Sequence, residues 1–103
     1  MTRPAIHPGE ILADELEELS LTPTELARQL DVPPNRLTQI IQGKRSITGD
    51  TALRLAHWFG TGAQFWLNLQ SAYDIRVAAQ QLGTDIKRLP TRAKPRREVR
   101  KAS

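Results

Sequence analysis

The sequence predicts an all-α domain of five helices followed by a basic tail. Three observations carry that reading. Apolar residues recur at helical spacing through most of the first 83 residues. Capping and stop signals (Pro8, Thr22-Pro23-Thr24-Glu25, Gly43, Thr48, Gly60, Gly83) cut that span into five segments. The composition then changes after Gly83 to a charged, proline-broken run. A length of 103 residues fits one domain, and a hydrophobic content of 39% is enough for a small core.

The first helix is expected from about Pro8 to Leu19. Proline suits the first helical turn, and Glu10 complements the positive end of the helix dipole. Ile11, Leu12, Leu16 and Leu19 share one face; Glu10, Asp14, Glu17 and Glu18 lie on the other, read first as a solvent face. The second helix has a complete start signal. Thr22 is the N-cap, Pro23 takes the first position, Glu25 closes a capping box, and Leu21 can staple onto Leu26. It buries Leu26, Ala27 and Leu30, and Asp31-Val32-Pro33 forms the turn. The third helix is expected from Pro34 to about Gln42, with Pro33 at the N-cap and Gly43 as a left-handed stop. The fourth is capped by Thr48, carries Asp50 in its first turn, presents Ala52, Leu53, Leu55, Ala56 and Phe59 to the core, and stops at Gly60. The fifth runs from about Ala63 to Leu82 and is stopped by Gly83. Phe65, Leu69 and Ala72 form one apolar stripe on it, and Trp66, Tyr73 and Val77 an adjoining one. Such a wide apolar arc fits either a monomer core or a second copy on one side, with Trp66, Tyr73 and Val77 as the expected dimer interface.

The second and third helices together have the outline of a helix-turn-helix, a unit that places its second helix in the DNA major groove. Leu37, Ile40 and Ile41 supply the apolar seam that holds that helix on its scaffold. Asn35, Thr38 and Gln39 lie on the opposite face. Asn and Gln can each bond adenine in a bidentate way, and Thr offers a hydroxyl or touches a thymine methyl. Arg36, Gln42, Lys44 and Arg45 are placed for the DNA backbone or a neighbouring base, and Thr48 opens a helix whose N–H groups can face phosphate. A protein-binding scaffold with a merely solvated polar face is the competing reading of the same residues.

Other function classes find little support. Cysteine is absent, so there is no disulfide framework, thiolate nucleophile or cysteine-based zinc site. His7 and His57 stand fifty residues apart, outside any metal-binding spacing, and no phosphate loop or nucleophile elbow occurs. No enzyme, metal or cofactor is expected. No apolar run approaches the ~20 residues that span a bilayer, and the N-terminus lacks the apolar segment of a signal peptide. The net charge of +4 is uneven: residues 1–83 hold seven Lys/Arg against nine acids, and residues 84–103 hold eight against two. The division expected is therefore residues 1–83 as the DNA-binding and dimerisation domain and residues 84–103 as a flexible basic tail. That tail suits either a polyanion partner or plain solvation.

The quoted segments also carry a family resemblance. His7-Pro8-Gly9-Glu10-Ile11-Leu12, Leu26-Ala27, Asn35-Arg36-Leu37, Ile40-Ile41-Gln42-Gly43-Lys44-Arg45-Ser46-Ile47-Thr48, Ala52-Leu53-Arg54-Leu55-Ala56 and Phe65-Trp66-Leu67-Asn68-Leu69-Gln70 match the pattern. Over about residues 7–83 the chain resembles the HigA/VapI antitoxins, within the lambda-repressor-like (XRE-type) helix-turn-helix superfamily. The resemblance implies a five-helix lambda-repressor-like fold and a cytoplasmic antitoxin. Such a protein neutralises a HigB-type, RelE-like mRNA endonuclease and represses its own operon as a homodimer on palindromic double-stranded DNA. It implies DNA-reading positions at Pro34, Asn35, Thr38 and Gln39, with Lys44 and Arg45 on the backbone. Pro33 and Pro34 depart from the usual polar start of the recognition helix, and the basic tail is longer than the pattern. Toxins of this class are basic, so Asp14, Glu17 and Glu18 become the expected toxin-binding residues. A stand-alone phage- or plasmid-type repressor without a toxin is the alternative.

Overall fold

The computed structural model describes residues 5–92; the end of the expected tail, from residue 93 on, lies outside the described residues. Five helices follow one another: α1 (Pro8–Leu19), α2 (Pro23–Leu30), α3 (Arg36–Ile41), α4 (Gly49–Phe59) and α5 (Ala63–Lys87). No strand occurs among the described residues. This is the all-α architecture expected, a lambda-repressor-like domain.

α1 begins at Pro8, and its cap is His7. The Gly9 N–H donates to His7 Nδ1 at 2.9 Å, and the His7 N–H donates to Glu10 Oε2 at 3.2 Å. Two donors that the first turn leaves unpaired are thereby satisfied reciprocally. Leu12 and Leu16 are buried, whereas Leu19, expected on the same face, is exposed at the helix end. α2 forms its expected capping box: the Glu25 N–H donates to Thr22 Oγ1 at 3.1 Å, and the Thr22 N–H returns to Glu25 Oε1 at 3.1 Å. Leu26, Ala27 and Leu30 face the core.

α3 is shorter than expected. Pro33, Pro34 and Asn35 form a turn closed by the Arg36 N–H on the Pro33 carbonyl at 2.9 Å, and Asn35 rather than Pro33 is the N-cap. Pro34 and Asn35 are thereby spent in the turn, and the helix starts two residues later than expected. The far end closes as expected at Gly43, φ +78°. The Gly43 N–H reaches the Ile40 carbonyl at 3.0 Å and the Lys44 N–H the Gln39 carbonyl at 2.8 Å, the paired bonds of a Schellman stop.

α4 ends at Gly60, φ +76°. Leu53 is 66% exposed and does not join the core; it points away from the face carrying Thr51, Ala52, Leu55 and Ala56. α5 does not stop at Gly83 but continues to Lys87, with Gly83 inside the helix at no positive φ. Of its expected first stripe only Leu69 packs on the core, beside the fully enclosed Trp66. The Trp66 ring sits 5.6 Å from Phe59 and 5.2 Å from Phe65. Beyond Asp74 almost every residue of α5 is exposed.

Gly9 sets how closely the layers approach. A Cβ there would overlap the Ile40 carbonyl oxygen and lie 2.8 Å from Ile41 Cα. The start of α1 thus rests on the end of α3, which only a residue without a side chain allows.

Candidate nucleic-acid interface

α3 is held by an apolar seam and presents a polar face. Leu37 and Ile40 are fully buried and Ile41 is half-buried against the core. Pro34, Asn35 and Gln42 are exposed, and Thr38 and Gln39 are half-buried at the rim. Pro34 and Asn35 belong to the turn that leads into α3, so their side chains are displayed by a constrained backbone. Lys44, Arg45 and Thr48 are exposed on the loop that follows.

Two expected contacts are already engaged within the chain. The Arg36 guanidinium donates to Thr51 Oγ1 at 3.2 Å, tying α3 to α4, so that group faces the scaffold as well as solvent. Arg45 Nε donates to Gln39 Oε1 at 3.0 Å. Asp50, near the start of α4, meets Arg54 Nε at 2.6 Å. Its charge beside any approaching phosphate is thereby partly offset. Arg54 also donates to the Leu30 carbonyl at 2.7 Å, closing the C-terminus of α2.

A buried amide anchors the loop. The Ile47 N–H donates to Gln70 Oε1 at 2.7 Å, and Gln70 Nε2 donates to Asp74 Oδ1 at 2.9 Å. Gln70 is 5% exposed, so the loop carrying Lys44 and Arg45 is fastened to α5 from inside. Sequence reasoning missed Gln70. The signal was its place four residues after Trp66, on the same buried side of the helix. His7 was missed as a cap for a different reason, since histidine is not among the preferred N-cap residues. Its ring also packs edge-on to Tyr73 at 4.8 Å. Burial lowers its pKa from the ordinary 6.5, with Asp74 and Glu10 pulling it back up. Glu25 is lowered too, by the Thr22 backbone N–H and then by the Thr22 hydroxyl.

The expected dimer residues separate. Trp66 is 1% exposed within its own chain and has no surface left for a second copy, which corrects its assignment. Tyr73 and Val77 are half-buried, Tyr73 beneath His7. The apolar surface that α5 leaves open is a different stripe, Ile75, Ala79, Leu82 and Ile86. The expected toxin-facing Asp14, Glu17 and Glu18 are all exposed on α1. Among the described residues no group of histidines and carboxylates could hold a metal, and no helix is long and apolar enough to cross a membrane.

The helix-turn-helix family profile matches residues 12–66. The chain is 53% identical over 78 residues to virulence-associated protein I of Dichelobacter nodosus, which covers 75% of this chain and 72% of that one. It superposes with a TM-score of 0.85 and 53% identity on an addiction module antidote protein of a HigA family from Coxiella burnetii, over 87% of this chain and 99% of that one. It superposes with a TM-score of 0.84 and 41% identity on the Pseudomonas aeruginosa antitoxin HigA, solved with the higBA promoter, over 88% of this chain and all of the other.

Proposed function

Since the chain belongs to the helix-turn-helix proteins of the HigA antitoxin type, we propose that it is the antitoxin of a two-gene module and the repressor of its own operon. It is no enzyme on this reading, and it acts in the cytoplasm, on DNA. One observation carries the proposal. Asn35 at the entry of α3 and Thr38 and Gln39 on it lie between the Pro33-Pro34 turn and the Lys44-Arg45 pair, on the same scaffold as a relative solved with a promoter.

The roles follow from placement. Pro34, Asn35, Thr38 and Gln39 meet base edges. Lys44 meets phosphate and Arg45 the backbone or a neighbouring base, with Gln42 and Thr48 flanking them, and Arg36 serves the backbone from a side chain that also braces α4. Two copies read a palindrome when their α3 helices stand ~34–36 Å apart. The pairing surface is the α5 stripe Ile75, Ala79, Leu82 and Ile86, whose four-three-four spacing suits a helix against a helix, with Tyr73 and Val77 beside it. A basic HigB-type endonuclease is bound on the acidic face of α1 through Asp14, Glu17 and Glu18.

The stand-alone repressor remains the second reading for a specific reason. The DNA face is complete in this chain, whereas the toxin face rests on three solvated carboxylates. Co-expression with the adjacent reading frame and purification through one tag separates them. A stoichiometric complex is expected; recovery of this chain alone, with DNA binding intact, supports the second reading.

A further inference from the structure

Gln39 and Arg45 do not stand as two separate contacts. Arg45 Nε donates to Gln39 Oε1 at 3.0 Å. A guanidinium offers donors only, and an amide accepts only through its oxygen. The bond therefore sets the orientation of the Gln39 amide by chemistry: oxygen toward Arg45, NH2 outward. The pairing is built into the fold. The left-handed turn at Gly43 reverses the chain, and the Lys44 N–H closes on the Gln39 carbonyl at 2.8 Å, which brings the next residue back beside Gln39.

An unengaged glutamine reads adenine with its oxygen accepting from N6 and its nitrogen donating to N7. Here that oxygen is turned toward Arg45, and one of its two lone pairs is occupied. What is turned outward is the Gln39 NH2 and the guanidinium N–H groups of Arg45, a surface dominated by donors. In the major groove guanine presents two acceptors, O6 and N7, whereas adenine presents one acceptor and one donor. A donor-dominated pair matches guanine, and with the Gln39 oxygen turned to Arg45 it sets donors toward adenine N6. Arg36 is assigned to the DNA backbone, with one guanidinium nitrogen held by Thr51.

We propose that Gln39 and Arg45 act as one specificity-determining unit that reads guanine, with Arg45 setting the orientation of the Gln39 amide. The proposal rests on the DNA-binding role given to α3 above.

The test is selection of bound duplexes from a random library by three proteins: the unmodified chain, Gln39→Ala and Arg45→Ala. The base position whose preference disappears in Gln39→Ala marks the contact. The unmodified chain is expected to select guanine over adenine there by on the order of tenfold, within the range of one bidentate pair. Arg45→Ala, selected at lower salt to offset the lost charge, is expected to move that position toward adenine. Arg45 is exposed, so its thermal unfolding should match the parent. Adenine selected by the unmodified chain would overturn the proposal, as would a guanine preference that survives Arg45→Ala. A selected palindrome in which no position responds to Gln39→Ala removes this proposal and leaves DNA binding standing. Enrichment of no sequence at all removes both.

Discussion

Gly9→Ala and Gly83→Ala make the same chemical change in two helices and are expected to move stability in opposite directions. Alanine is favoured over glycine by ~1 kcal/mol inside a helix. At Gly83 an added methyl meets nothing within 4 Å, and the backbone is not left-handed. The gain should therefore appear nearly whole, about 0.4–1 kcal/mol. At Gly9 the methyl would overlap the Ile40 carbonyl oxygen and approach Ile41 Cα to 2.8 Å. Those are backbone atoms, and that carbonyl accepts the Gly43 N–H that ends α3. No side chain can swing aside, so the cost lies at or above the top of the ~1–3 kcal/mol typical of overpacking. Offset by the helix gain, the net loss is at least about 2 kcal/mol. For a domain of this size about 2 kcal/mol is a fall in melting temperature of roughly 8–16 °C, the least expected. The assay is thermal unfolding followed by circular dichroism at matched protein concentration, since association would shift the midpoint. A Gly9→Ala protein as stable as the parent would refute the close packing of α1 on α3. A destabilised Gly83→Ala protein would refute the continuous helix through that position.

Three further outcomes follow from named contacts. His7 caps α1 through a neutral Nδ1, and burial holds its folded pKa below the ordinary 6.5, so the unfolded chain binds more protons. Its contribution is thus complete above about pH 6.5 and is lost as pH falls below that value; His7→Asn, which keeps a capping acceptor, should show a smaller drop in melting temperature between pH 7.5 and 5.5 (both about) than the parent. Gln70→Ala leaves the buried Ile47 N–H unpaired and should cost ~1–3 kcal/mol in denaturant unfolding, with weaker DNA binding because the Lys44-Arg45 loop loses its anchor; unchanged binding would show that the anchor is only structural. Asp at both Ile75 and Leu82 should leave each chain folded, since both side chains are exposed, and give a monomer in sedimentation; a dimer of unchanged strength would exclude the stripe as the pairing surface.

Local signals made α1 and α2 readable from sequence, because Pro8 and the Thr22-Pro23-Glu25 set act within one turn. The same holds for Gly43 and Gly60, whose positive φ is a local demand. The reading failed where two influences competed. Pro34 reads as a helix opener, yet it lies in the turn that the Arg36 N–H closes on the Pro33 carbonyl, and the helix begins at Arg36. Gly83 reads as a stop, yet its ~1 kcal/mol local cost does not end a helix already running from Ala63. The face of an apolar residue was the least legible quantity. Trp66 and Ile75 both belong to apolar stripes of α5, and periodicity alone does not say which stripe the domain covers with its own core. The position of the seam depends on Phe59 and Ile47 reaching α5 from other elements, which is tertiary information. At the interface the residue types were legible, but the engagement of Gln39 by Arg45 and of Arg36 by Thr51 was not, since both cross a turn or a helix boundary.

The most direct measurement is a titration of this protein and its Asn35→Ala/Gln39→Ala variant on the DNA upstream of its own gene, against a scrambled duplex at the same salt. The account predicts specific binding by the parent and a loss of about 2–6 kcal/mol of it in the variant, from two base-reading positions, Asn35 and the Gln39–Arg45 unit, with binding to the scrambled duplex unchanged. Equal affinity of parent and variant for the upstream DNA would contradict the assignment of α3 as the reading helix.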